Sequence, residues 1–109
     1  MSEPHPNVRD LTPQEVARGL NEGRIVLVDV REPNETALER IPGSVLVPLS
    51  AFEPAAIPEP SGRHVVFTCR SGRRSITASL AAQDQGFAYN SHLAGGILAW
   101  KAAGLPTET

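Results

Sequence analysis

His64-Val65-Val66-Phe67-Thr68-Cys69-Arg70-Ser71-Gly72-Arg73-Arg74-Ser75 is the stretch that decides how this chain folds. Its first five residues form an apolar β-type run, and a helical stretch follows from Ser75 to about Gln83. Between them lies a basic, glycine-containing loop opened by Cys69, the single cysteine of the chain. A thiol at the tip of a strand, in a loop that starts a helix, occupies a nucleophile's position. Loop amides and the positive end of the helix dipole favour a bound anion there. They favour thiolate over thiol for the same reason.

Outward from this segment, strand-like and helix-like runs alternate. Ile25-Val26-Leu27-Val28-Asp29-Val30 is nearly all apolar and β-branched, as in a strand covered on both faces. Val45-Leu46-Val47 before Pro48 reads as a short strand, 87–93 as a polar last strand and 8–10 as an edge strand. Thr12, Pro13 and Glu15 are the N-cap, first turn and capping box of a helix closed by Gly23, with Leu11 and Val16 at staple positions. Further helices are expected at 33–38 and 97–103, and 53–62 is the one long irregular connection. Alternation of this kind means α/β, a parallel sheet with helices on both faces. Ligands bind beyond the carboxyl ends of strands in such sheets, where Cys69, Asp29 and Arg31 all fall.

The chain of 109 residues supports one domain over 8–109 after a Pro-rich flexible leader, 1–7. Its net charge of −2 argues against bulk attraction to nucleic acid or an anionic membrane. No signal peptide or membrane span is apparent, so a cytoplasmic protein is expected. One cysteine forms no internal disulfide, and no metal-ligand spacing occurs. Between Pro60 and Gln83 there is no acidic residue, while Arg63, Arg70, Arg73 and Arg74 lie there. An isolated arginine reads as a solvated face, but three in one short loop read as an anion site.

A thiolate among converging amides can attack phosphorus, arsenic, carbon or sulfur. Cysteine-dependent phosphatases share a Cys-x5-Arg cradle wide enough for a phosphate. Here Arg74 follows Cys69 after only four residues, a tighter ring suited to a single outer sulfur. A free cysteine elsewhere is often a small buried hydrophobe, a reading that the loop opposes here. Trp100 reads as core, and His64 and His92 as structural residues. No serine–histidine arrangement rivals Cys69.

These segments resemble the rhodanese family of sulfurtransferases, in its single-domain form. The likeness rests on Leu27-Val28-Asp29-Val30-Arg31-Glu32, on Ile41-Pro42-Gly43-Ser44 followed by Pro48, on the loop 69–75, and on Gly95-Gly96 with Trp100, Gly104 and Pro106. Glu39-Arg40 departs from the Gly-His that the family usually carries before the Ile-Pro-Gly turn. The resemblance implies a rhodanese-like, five-stranded parallel sheet and covalent transfer through a Cys69 persulfide, with no cofactor or metal. The expected donor is a small anion such as thiosulfate, and the acceptor cyanide or a thiol. The alternative is a carrier that takes sulfur from a partner protein and relays it. Backbone N–H groups of Arg70, Ser71, Gly72, Arg73, Arg74 and Ser75 are expected to face the sulfur. Arg70 and Arg73 would hold the donor's sulfonate, and Ser75 would cap the helix or bond the sulfur. Arg74 would pair inward with Asp29 or Glu32. Asp29 and Arg31 read as supporting residues, chiefly an ion pair.

Overall fold

The computed structural model describes residues 5–109. Strands β1 (Arg9–Leu11), β2 (Ile25–Asp29), β3 (Val45–Leu46), β4 (His64–Thr68) and β5 (Ser91–Leu93) form one sheet in the order β1-β5-β4-β2-β3. Every neighbouring pair is parallel. Four helices connect or follow them: α1 (Pro13–Asn21), α2 (Pro33–Leu38), α3 (Arg74–Asp84) and α4 (Gly96–Ala102). The fold class expected from the alternating pattern is the one found.

Side chains alternate across the sheet with the period of a strand and divide the core in two. Ile25, Leu27, Val66 and Leu93 pack with Val16 of α1 and with Ile97 and Trp100 of α4. Val26, Val28, Val65 and Phe67 face the other way and pack with Ala78 and Ala82 of α3. Small residues on α3 let the helix lie close to the sheet. All five residues of β2 are buried, which is why its sequence shows no polar alternation.

The capping box forms as read. The Thr12 hydroxyl accepts from the Glu15 N–H at 3.1 Å, and the Glu15 carboxylate accepts from the Thr12 N–H at 2.9 Å. Such a cap contributes about 1 kcal/mol.

Three expectations need correction. The last strand is only Ser91–Leu93, not 87–93, because Phe87 and Tyr89 both pack under α3 instead of alternating. The edge strand is Arg9–Leu11, set by its register Asp10 to His92. The connection 53–62 contains a 3₁₀ turn, Pro54–Ala56, preceded by another at Leu49–Ala51. Of the leader expected over 1–7, residues 1–4 lie outside the described residues, and the His5 carbonyl accepts from the Val8 N–H. Among the described residues no helix is long and apolar enough to cross a membrane.

Candidate active site

Cys69 follows the last residue of β4, on the α3 side of the sheet. The chain then turns so that the N–H of Gly72 donates to the Cys69 sulfur at 3.0 Å. Gly72 has φ +99°, a conformation that side chains with a Cβ rarely adopt. The other wall of the loop is held by α4. The N–H of Ile97 donates to the Cys69 carbonyl at 2.9 Å, and that of Leu98 to the Arg70 carbonyl at 3.1 Å. In a trans peptide the N–H lies opposite the carbonyl. With these two carbonyls turned to α4, the N–H groups of Arg70 and Ser71 point away from it.

Gly96 makes that approach feasible. A Cβ there would run into the carbonyl oxygens of Cys69 and Arg70, and its φ of +60° is itself in the left-handed region. The second glycine of the pair near the carboxyl end is thus part of the loop's support, although it lies on a different element.

The predicted residues fall into separate groups. Arg70 and Arg73 are exposed at the rim, and Ser71 is half-buried. Arg74 turns to neither Asp29 nor Glu32. Its guanidinium grips Glu35 of α2 with two bonds, 2.7 and 2.9 Å. Glu32 is occupied instead by the Ser50 hydroxyl, while Glu35 also accepts from the Glu32 N–H at 3.0 Å. The Arg74 bonds are the main reason the Glu35 carboxyl is held down to about 2. The same partner raises Arg74 above its usual value.

Asp29 and Arg31 are both buried and bond each other, with contacts of 2.8 to 3.1 Å. The Arg31 guanidinium also donates to the Glu39 carbonyl at 2.9 Å, and the Arg31 N–H to Asp29 at 2.9 Å. This pair braces the turn after β2 and contacts the α2 terminus. Beside it a shallow depression of about 260 Å³ runs from Arg31 and Glu35 to Arg70 and Leu98.

Cys69 itself is only 1 % exposed. The sulfur lies at the floor of the loop, not at its surface.

Sequence reading placed Ser75 either as a helix cap or beside the sulfur and missed what lies behind it. Ser75 does not cap α3, since the N-cap is Arg73 and has no side-chain cap bond. The Ser75 hydroxyl lies 3.6 Å from the Cys69 sulfur and 2.7 Å from Nδ1 of His92. Nε2 of His92 is 2.6 Å from Asp10. A serine–histidine–aspartate arrangement therefore exists, but behind the cysteine. The available signal was weak: if β1 and β5 are neighbours, Asp10 and His92 fall in register with side chains on one face.

Comparison with known proteins agrees with this fold. The family model for the rhodanese-like domain matches residues 12–103. An uncharacterised protein of Synechocystis is 38 % identical over 89 % of this chain and 54 % of its own length. The chain thus spans about half of that relative. A sulfurtransferase of Allochromatium vinosum is 39 % identical over 75 % of this chain and 77 % of its own length. The crystal structure of a thiosulfate sulfurtransferase from Pseudomonas aeruginosa superposes with TM-score 0.77 at 28 % identity. That match covers 93 % of this chain and 20 % of the other. With a cysteine loop on a five-stranded parallel sheet, and sulfurtransferases among its relatives, this chain belongs to the rhodanese-like family.

Proposed function

We propose that the protein is a sulfurtransferase that carries a sulfane sulfur on Cys69, taking it from a small anionic donor such as thiosulfate. The observation that carries the reading is the Gly72 N–H aimed at the Cys69 sulfur at 3.0 Å. A peptide N–H directed at sulfur stabilises negative charge on it, whether thiolate or leaving group.

In the first step the Cys69 thiolate attacks the outer sulfur of thiosulfate. A bond forms between the two sulfurs, the S–S bond of thiosulfate breaks, and its electron pair leaves with sulfite. In the second, cyanide or an acceptor thiolate attacks the outer sulfur of the persulfide. The new bond forms as the Cys69 S–S bond breaks, and its electron pair returns to Cys69 as thiolate. Arg70 and Arg73, exposed at the rim, supply positive charge for the departing sulfite.

The 1 % exposure of Cys69 puts a small donor ahead of a protein donor. A partner's cysteine would need a wide opening, whereas a thin anion needs a narrow one. The cradle size supports sulfur transfer over phosphoryl transfer, since Arg74 is only five positions beyond the cysteine and is bound to Glu35. A thiol kept free and reduced suits the cytoplasm.

The test is thiocyanate formation from thiosulfate and cyanide, compared with Cys69→Ala. Wild-type turnover should exceed the variant's by more than about a thousandfold. Equal rates overturn the reading. If wild type turns over poorly, yet intact mass rises by one sulfur atom on incubation with a persulfide-generating enzyme, the carrier role replaces it.

A further inference from the structure

We infer that Ser75, His92 and Asp10 form a proton relay for Cys69, in which the imidazole takes the thiol's proton through the Ser75 hydroxyl. The inference rests on the nucleophilic role of Cys69 proposed above and concerns how the thiolate arises.

The bonding pattern sets the direction. A carboxylate only accepts, so Asp10, at 2.6 Å, requires the proton of His92 to be on Nε2. Nδ1 is then a bare acceptor, and the Ser75 hydroxyl at 2.7 Å must donate to it. The lone pairs of Ser75 are left facing the sulfur, so the Cys69 S–H donates across 3.6 Å. All donors in this line point from Cys69 toward His92. When the thiol loses its proton, the S–H bond breaks and an O–H bond forms at Ser75. The former Ser75 proton passes to Nδ1, giving imidazolium beside the Asp10 carboxylate. The hydroxyl now donates back to the sulfur, next to the Gly72 N–H. One shift both removes the proton and adds a second donor to the thiolate.

Burial separates this arrangement from an ordinary satisfied histidine. Ser75 and His92 are 0 % exposed and Cys69 is 1 %, so no solvent reaches the inner links. The Asp10 side chain is 45 % exposed, so the outer end meets water. The groups facing the imidazole are Asp10 from β1, Ser75 from α3 and the uncharged Phe67 in register on β4. Beyond Ser75 lies Cys69, and the guanidinium of Arg74, at the start of α3, is already bonded to Glu35. Because His92 acts on sulfur through Ser75, it is a positioning residue and not a catalytic one.

The experiment follows iodoacetamide alkylation of Cys69 across pH in wild type, Ser75→Ala, His92→Asn and Asp10→Asn, beside thiocyanate formation. Asparagine keeps a hydrogen-bonding group near the Nδ1 position but accepts no proton. His92→Asn should therefore melt close to wild type yet alkylate about tenfold more slowly at pH 7, with the rates converging in alkali. Asp10→Asn should show a smaller loss, since water screens the exposed carboxylate. A His92→Asn profile superimposed on wild type overturns the relay and leaves His92 a packing residue. Ser75→Ala guards against a folding artefact, because it removes the bridge while leaving the imidazole in place; an unchanged profile there also overturns the relay. A shifted profile in a wild-type protein that forms no thiocyanate would support the relay and overturn the sulfurtransferase reading instead.

Discussion

Two buried polar networks sit in this sheet, and they differ in how they end. The Asp29–Arg31 pair is bound chiefly to itself: both side chains are buried, and Nη2 of Arg31 bonds both the Asp29 carboxylate and the Glu39 carbonyl. The Ser75–His92–Asp10 line is equally buried at its inner end but finishes on a half-exposed carboxylate. The first network has no route for a proton and arginine would not release one, so it fixes shape. The second is open at one end and carries an imidazole, able to accept and donate a proton, in the middle, so it suits proton transfer. Burial alone does not distinguish a structural polar group from a functional one. What it connects does.

The sharpest way to break this contrast is to open the closed network. Arg31→Met should cost about 3–5 kcal/mol by leaving the Asp29 carboxylate buried without its partner. Replacing both residues by apolar ones of similar size should cost clearly less than the single change. Urea unfolding of the single and double variants measures this, and a single variant as stable as wild type would refute the closed-network account. The His92→Asn variant should show the reverse pattern, with little change in stability and a large change in thiol reactivity.

A second, smaller effect is expected where the loop leans on α4. Gly96→Ala should lose at least about 2 kcal/mol, from positive φ and from collision with two carbonyls. Its thiocyanate rate should fall further than the folded fraction does, because the Gly72 N–H would no longer be aimed. A rate that merely tracks the folded fraction would mean that α4 does not orient the loop.

The smallest effect concerns the half-exposed Arg74–Glu35 pair. Glu35 is held at about 2 when folded, against 4.5 for the free group. The unfolded chain therefore takes up the proton first as pH falls. The pair's stabilisation is complete above about pH 5 and is lost as pH drops through the folded value. With solvent screening it amounts to about 1 kcal/mol. Glu35→Gln should flatten that part of the acid stability curve, which thermal melts between pH 2 and 6 would reveal.

How much of this was legible in the sequence depended on distance along the chain. The β-branched run of β2 and the Thr12–Glu15 box are local statements, and both appear as read, as do the strand before the cysteine loop and the helix after it. The Asp29–Arg31 pair was readable because its partners are two positions apart. Arg74 was assigned the wrong carboxylate because Glu32 and Glu35 lie one helical turn apart, and only packing shows that Ser50 occupies Glu32. Asp10 and His92 are 82 positions apart, and their meeting follows from β1 taking the place beside β5. No local propensity encodes that placement. The 87–93 segment failed for a related reason: Phe87 and Tyr89 look like strand residues but serve the aromatic cluster around Phe67.

The depth of the cysteine sulfur also bears on how the protein ages in air. A thiol with 1 % of its residue at the surface cannot meet its counterpart on a second copy without the loop opening on both. Since there is no other cysteine, covalent dimers should accumulate slowly even without reductant. Small oxidants that slip into the same recess, not neighbouring proteins, would set the lifetime of the reduced form.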